Sequence, residues 1–167
     1  MISDSDTAVL KDVHSARSGF YTFLCRVFSN VPDDVFYKML TDMADRLIVL
    51  TEGTDNKDLL EGARGVAEFT ARRNKLAGRE LADFDLDTAR QYTTLFCLTN
   101  SVPTEESVYT SEEHREKGDS YDRMRALFRK YGMEKSRKIS ENEDFISYEF
   151  IFMAKLAADC AEELEEA

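Results

Sequence analysis

Apolar residues recur at steps of three and four along most of this chain. From about Thr7 to Phe28, the residues Val13, Ala16, Phe20, Leu24 and Val27 share one helical face, which Tyr21, Phe23 and Phe28 widen. That face is broader than a surface helix requires. Ser29-Asn30 interrupts the pattern. Pro32 followed by Asp33-Asp34 predicts a new helix start, because proline is tolerated in a first turn and acids complement its positive end. Phe36, Met39 or Leu40, Met43 and Leu47 carry that second helix towards Leu50. After the polar turn from Thr51 to Asn56, Leu59, Leu60, Ala63, Val66, Ala67 and Thr70 predict a third helix. Gly62 and Gly65 each cost it ~1 kcal/mol relative to alanine, unless they permit a close helix approach.

Gly78 reads as a second turn, and Asp85 or Asp87 as the opening of a fourth helix carrying Tyr92, Leu95 and Phe96. The stretch from Thr99 to Gly118 is polar, contains Pro103 and shows no sustained helical period. A loop of that length inside a compact domain is uncommon and is usually functional or disordered. Tyr121, Met124, Leu127, Phe128 and Tyr131 predict a fifth helix, stopped by Gly132 at the C′ position. A short basic patch, Lys135 to Lys138, and a second polar loop, Ser140 to Asp144, precede the final helix. That helix carries Phe145, Tyr148, Phe152, Leu156, Cys160 and Leu164, with Asp144 placed to N-cap it. The pattern predicts an all-α, single-domain helical bundle of about six main helices over residues 1–167, frayed at 1–6 and 162–167.

Composition agrees with helices, since 7 Gly and 2 Pro in 167 residues are few for a fold rich in tight turns. The charge balance, 22 basic against 33 acidic residues, argues against nucleic acid as a partner, because phosphate binding calls for a basic surface. It fits simple solubility, or attraction of a basic partner. Cys25, Cys97 and Cys160 lie far apart among apolar neighbours, so they read as small buried hydrophobes with reduced thiols. Met1 to Lys11 has no secretory pattern, and no segment reaches the ~20 apolar residues of a membrane span. Arg72-Arg73 sits mid-chain with no apolar segment after it. A cytoplasmic location follows as the expectation.

The usual signatures of catalysis are missing: no glycine-rich phosphate loop, no nucleophile elbow and no zinc-protease helix. His14 and His114 stand alone in a helix and a loop, and fit surface and solvated positions better than general-base roles. No catalytic residue, metal ligand or cofactor is expected.

Three short segments carry more information. Gln91-Tyr92-Thr93-Thr94-Leu95-Phe96 ends the fourth helix, and Pro103-Thr104-Glu105-Glu106-Ser107-Val108-Tyr109 lies in the long loop. The third runs from Glu141 through Asp144, Ile146, Glu149, Phe152 and Met153 to Leu156. In order and spacing they resemble the TorD-like redox-enzyme maturation chaperones, a family that includes the DmsD type and is related to nitrate-reductase assembly chaperones. Tyr92, Leu95 and Phe96 match its helix end, and Pro103, Glu106, Ser107, Val108 and Tyr109 match its loop. The third motif departs at Glu143, Phe145 and Phe150, where the family has proline, histidine and leucine. The resemblance spans roughly residues 15 to 157.

The resemblance implies a TorD-like fold and a binding protein whose partner is the precursor of a molybdopterin oxidoreductase. It would hold the twin-arginine leader, the apo enzyme, or both, until the cofactor is loaded, with Glu106, Ser107, Tyr109 and Asp144 as peptide-binding residues. The two loops would flank a groove in which acids meet the leader's arginines. The same residues have a structural reading: Ser and Glu capping amides, and Tyr109 burying its ring with its hydroxyl bonded. A nitrate-reductase assembly chaperone, or an unrelated oligomeric binding module, are the alternatives. Family members usually continue with further helices, so this sequence is either a short variant or incomplete; a short bundle would cover an exposed face by pairing as a homodimer.

Overall fold

The computed structural model describes residues 4–98, 101–136 and 141–166, and over them the chain is all-helical. Seven helices are present: α1 (Asp4–Ser29), α2 (Asp34–Glu52), α3 (Lys57–Arg73), α4 (Gly78–Phe96), α5 (Glu106–Thr110), α6 (Asp119–Lys130) and α7 (Ile146–Glu166). The short α5 aside, six main helices remain. Among the described residues the only extended pairing is one isolated antiparallel bridge, Glu105 to Phe145. The chain forms two compact units, one from Met1–Asn30 with Pro103–Ala167 and one from Val31–Val102.

In the first unit α1 and α7 pack along their lengths. Lys11 pairs with Glu165 at 3.0 Å, while Tyr21 and Phe28 stack on Phe150, so the two helices run antiparallel. Buried Ala154, Ala157 and Ala161 continue the Phe150 face at helical spacing, and such small residues suit a close packing seam. The opposite side of α7 meets α6. There Met124, Phe128 and Phe152 form a buried cluster flanked by Leu127, Met133, Tyr148 and Leu156. Gly132, at φ 65°, ends α6 as the pattern of apolar residues predicts. Its N–H donates to the Arg129 carbonyl at 3.3 Å and that of Met133 to the Phe128 carbonyl at 2.9 Å, a complete Schellman closure.

In the second unit Asp33 caps α2 by accepting from the Phe36 amide at 2.8 Å, and Asn56 caps α3 through the Leu59 amide. Arg73 joins all three helices of this unit. Its Nε and Nη2 donate to the two Asp85 oxygens at 2.7 and 2.8 Å, its guanidinium lies 3.8 Å over the Tyr37 ring, and Asp34 approaches to 3.5 Å. The hydrogen bonds to Asp85 hold its pKa above the ordinary arginine range, while burial and then the Asp85 charge push the Tyr37 phenol up. Arg72 lies over the Phe84 ring at 5.4 Å, so both members of the mid-chain arginine pair have structural contacts.

Several local expectations need correction. α4 begins at Gly78, seven residues before Asp85, which lies inside the helix and serves Arg73. α1 begins at Asp4 and α7 ends at Glu166; of the stretches where fraying is expected, residues 1–3 and 167 lie outside the described residues. Cys97 and Cys160 are exposed and Cys25 is half-buried, so the thiols are free but are not core residues. His14 is half-buried, with Nδ1 enclosed and unpartnered.

Gly62 and Gly65 have nothing within 4 Å of an added Cβ, which removes the close-approach reading. Both are exposed in the middle of α3. Replacing either with alanine should therefore raise stability by ~0.5–1 kcal/mol through reduced backbone entropy of the unfolded chain. Urea denaturation checks this: the midpoint rises with the slope unchanged, and a lower midpoint would show an unseen contact at that position.

Candidate functional site

The two motif-bearing loops of the first unit are stitched together by backbone hydrogen bonds. The Ile146 amide donates to the Thr104 carbonyl at 2.8 Å, and the Glu106 amide to the Asp144 carbonyl at 2.9 Å. Between these lies the Glu105–Phe145 bridge. Asp144 then makes a second contact with the same helix: its Oδ2 accepts from the Ser107 amide at 3.0 Å. Asp144 thus satisfies the first two orphan amides of α5, through its backbone oxygen and its carboxylate. The local expectation that it caps α7 is corrected. The capping chemistry is right, but the helix it serves is 37 residues away.

Each residue of the Pro103–Tyr109 segment has a visible task. The Tyr109 hydroxyl donates to the Pro103 carbonyl at 2.8 Å, closing the segment on itself, while its ring stays 61% exposed. The expectation of a buried Tyr109 ring is therefore overturned. Glu105 accepts from the Thr104 amide at 3.1 Å. Ser107 is wholly buried, and a Cβ on Gly118 would sit in van der Waals contact with the Ser107 Cβ at 3.4 Å. The Val108 carbonyl receives His114 Nδ1 at 2.9 Å, and Thr110 and Ser120 share a hydrogen bond of 2.8 Å across to α6. The positions that depart from the family pattern are structural too. Glu143 pairs with Lys135 at 3.4 Å and Arg125 at 3.7 Å, and Lys135 also donates to the Glu141 carbonyl. Phe145 supplies backbone to the bridge and packs its ring near Tyr148.

Above this stitch three carboxylates gather from three places: Glu106 on α5, Asp144 on the loop and Glu149 in the first turn of α7. One guanidinium faces them. Arg123 on α6 donates through Nη2 to both Glu106 oxygens, at 2.5 and 2.6 Å. Asp144 is wholly buried and its Oδ1 has no partner, as is true of Glu149 Oε1 and Ser107 Oγ. Burial, then the nearby Glu106 charge and a hydrogen bond to Glu106, then Asp144, raise the Glu149 carboxyl from 4.5 to about 7, with Arg123 opposing. Two facing carboxylates have no donor between them unless one keeps a proton, and Glu149 keeps it.

Of the four residues expected to bind peptide, the structure brings Glu106, Ser107 and Asp144 together, with Tyr109 one turn along α5. Only Glu106 and Tyr109 reach the surface; Ser107 and Asp144 lie beneath them. Glu149 and Arg123 complete the group. Glu149 is legible as a motif match, whereas nothing in the sequence singles out Arg123. Among the described residues no set of three His, Cys, Asp or Glu side chains could hold a metal ion, and no helix is long and apolar enough to cross a membrane.

Two predictions follow from this geometry. Asp144→Ala should cost about 1–2 kcal/mol of unfolding free energy by uncapping α5. Asp144→Asn, which keeps an acceptor, should cost less than half of that; equal losses would show that the charge rather than the cap matters. For Glu149 the folded pKa lies above the unfolded one, so its favourable term is fully present below pH 4.5 and is lost as pH rises through about 7. Glu149→Gln should match the wild type near pH 5 and exceed it near pH 8 by on the order of 1 kcal/mol, discounted for partial exposure. Denaturant titrations at the two pH values provide the check.

Comparison with known protein families gives a match. The family model described as nitrate reductase delta subunit covers residues 33–167, from the Asp33 cap of α2 through α7. No curated protein and no solved structure matches the chain. The matched region includes the fourth-helix end and both stitched loops, the segments that resemble the TorD-like chaperones. Since the model covers well over half of the sequence, the chain belongs to the nitrate reductase delta subunit family, whose members are molybdoenzyme assembly chaperones.

Proposed function

We propose that this protein is a cytoplasmic chaperone that binds the twin-arginine leader, the apo form, or both, of a molybdopterin oxidoreductase, and delays its export until the cofactor is loaded. The observation that carries this reading is the surface above the Asp144 stitch. There Glu106 and the exposed Tyr109 ring stand side by side on a helix whose position is fixed from below. Acids suit the leader's arginines and an exposed aromatic suits its apolar stretch. Ser107 and Asp144 act in this reading by holding Glu106 in place. The binding is reversible and involves no covalent step, and residues 1–167 work as one chaperone domain, with pairing of two copies as a further expectation.

A second reading has a specific observation in its favour. The matching family is described by nitrate reductase, which fits an assembly chaperone whose client stays in the cytoplasm. Calorimetry separates the two. The leader of a neighbouring molybdoenzyme should bind, and its Lys-Lys version should bind at least about tenfold more weakly, because ammonium lacks the two-nitrogen fork. Glu106→Gln should erase most of that difference. Equal affinity for the two peptides, or binding of neither with retention of the leaderless apo enzyme, would favour the nitrate-reductase type.

A further inference from the structure

We propose that Arg123 is the displaceable occupant of a guanidinium subsite on Glu106, and that an arginine of the protein partner takes its place when the partner binds. This deepens the function proposed above and rests on it for the identity of the partner.

The geometry of the resident pair is the first support. Arg123 reaches Glu106 with one nitrogen, Nη2, shared between both oxygens. A guanidinium can instead present two parallel N–H groups to a carboxylate, which is the stronger and more directional arrangement. The side chains also differ in exposure, 57% for Arg123 and 30% for Glu106. The anion is the fixed and sheltered member, held at the first turn of α5 by the hydrogen bond its backbone N–H donates to the Asp144 carbonyl. The cation is the outer one, at the end of a long side chain.

The charge balance beneath the pair is the second support. Glu106, Glu149 and Asp144 face one cation, and Arg123 is the positive charge that opposes the rise at Glu149. Glu149 Oε1 and the wholly buried Asp144 Oδ1 both lack a donor. Both atoms are enclosed, so the acceptors open to an incoming group are the Glu106 oxygens. A guanidinium seated side-on against Glu106 gives one N–H to each of its oxygens, an arrangement that Arg123 does not make. Exchange of one arginine for another leaves the charge unchanged, so the gain is in hydrogen-bond geometry and selectivity. An ammonium, with no fork, gains less.

The test uses the full chain and two probes. One is a synthetic peptide with an Arg-Arg pair followed by an apolar stretch; the other is N-acetyl-Arg-Arg-amide, followed by NMR shifts. Removing the competitor with Arg123→Gln should tighten both probes about three- to five-fold, the scale of an exposed ion pair. Glu106→Gln should weaken both about tenfold, and adding Arg123→Gln to it should then have no effect. Thermal melts confirm that each variant is folded, with Arg123→Lys as a charge-retaining substitute that should give a smaller gain. If the long peptide binds the wild type and Arg123→Gln leaves or weakens that affinity, the subsite is wrong and the chaperone reading stands. If only the amide binds, and with the expected gain, the subsite stands and the leader reading falls. Binding of neither probe overturns both.

Discussion

A five-residue helix has no right to exist alone. Nucleating one turn fixes several dihedrals for a single hydrogen bond, and isolated helices far longer than α5 are marginal in water. Asp144 supplies what α5 lacks, by giving the first two amides their acceptors from a loop 37 residues further along the chain. Ser107 is then wholly buried with Gly118 close by, and Glu106 projects at the first turn. Tyr109, one turn later, is locked by its hydroxyl to the Pro103 carbonyl. The two motifs are thus two halves of one joint, and the surface they present is a consequence of that joint.

The same joint explains the electrostatics. A carboxylate enclosed beneath α5 places negative charge next to Glu106 and Glu149, and three such groups cannot all ionise cheaply where water is sparse. Two responses are visible. Glu149 holds its proton up to about pH 7, and Arg123 folds over Glu106 from α6. Neither response satisfies every acceptor. The backbone beneath these carboxylates is hydrogen-bonded from both loops, so their positions are set in folding.

What could be read from the chain depended on the range of the interaction involved. The long helices and the Gly132 closure follow from apolar spacing and one glycine, and these are decided within a few residues. Asp33 before α2 is legible for the same reason. The start of α4 is not, because Gly78 looks like a turn and no side chain caps that end. α5 is too short to show a period, so its segment reads as loop. Asp144 illustrates the limit most clearly: an acid before an apolar run reads as a local cap, and only tertiary contact shows that its amides belong to another helix. Arg123 is one basic residue among 22, and nothing but packing sets it opposite Glu106. The cysteines mislead because apolar neighbours in sequence are not neighbours on one helix face.

The departures from the family pattern bear on which features the site requires. Glu143, standing where proline is usual, joins Arg125 and Lys135, so the loop that a proline ring would stiffen is held here by ion pairs. Phe145, standing where histidine is usual, contributes backbone to the bridge and a ring beside Tyr148. Neither change touches the amides that Asp144 caps or the carboxylates above them. An imidazole is therefore not needed to build this surface. The cluster of Glu106, Asp144 and Glu149 and its Arg123 counter-charge are assembled without that histidine, and Phe145 serves in its place through its backbone and its ring.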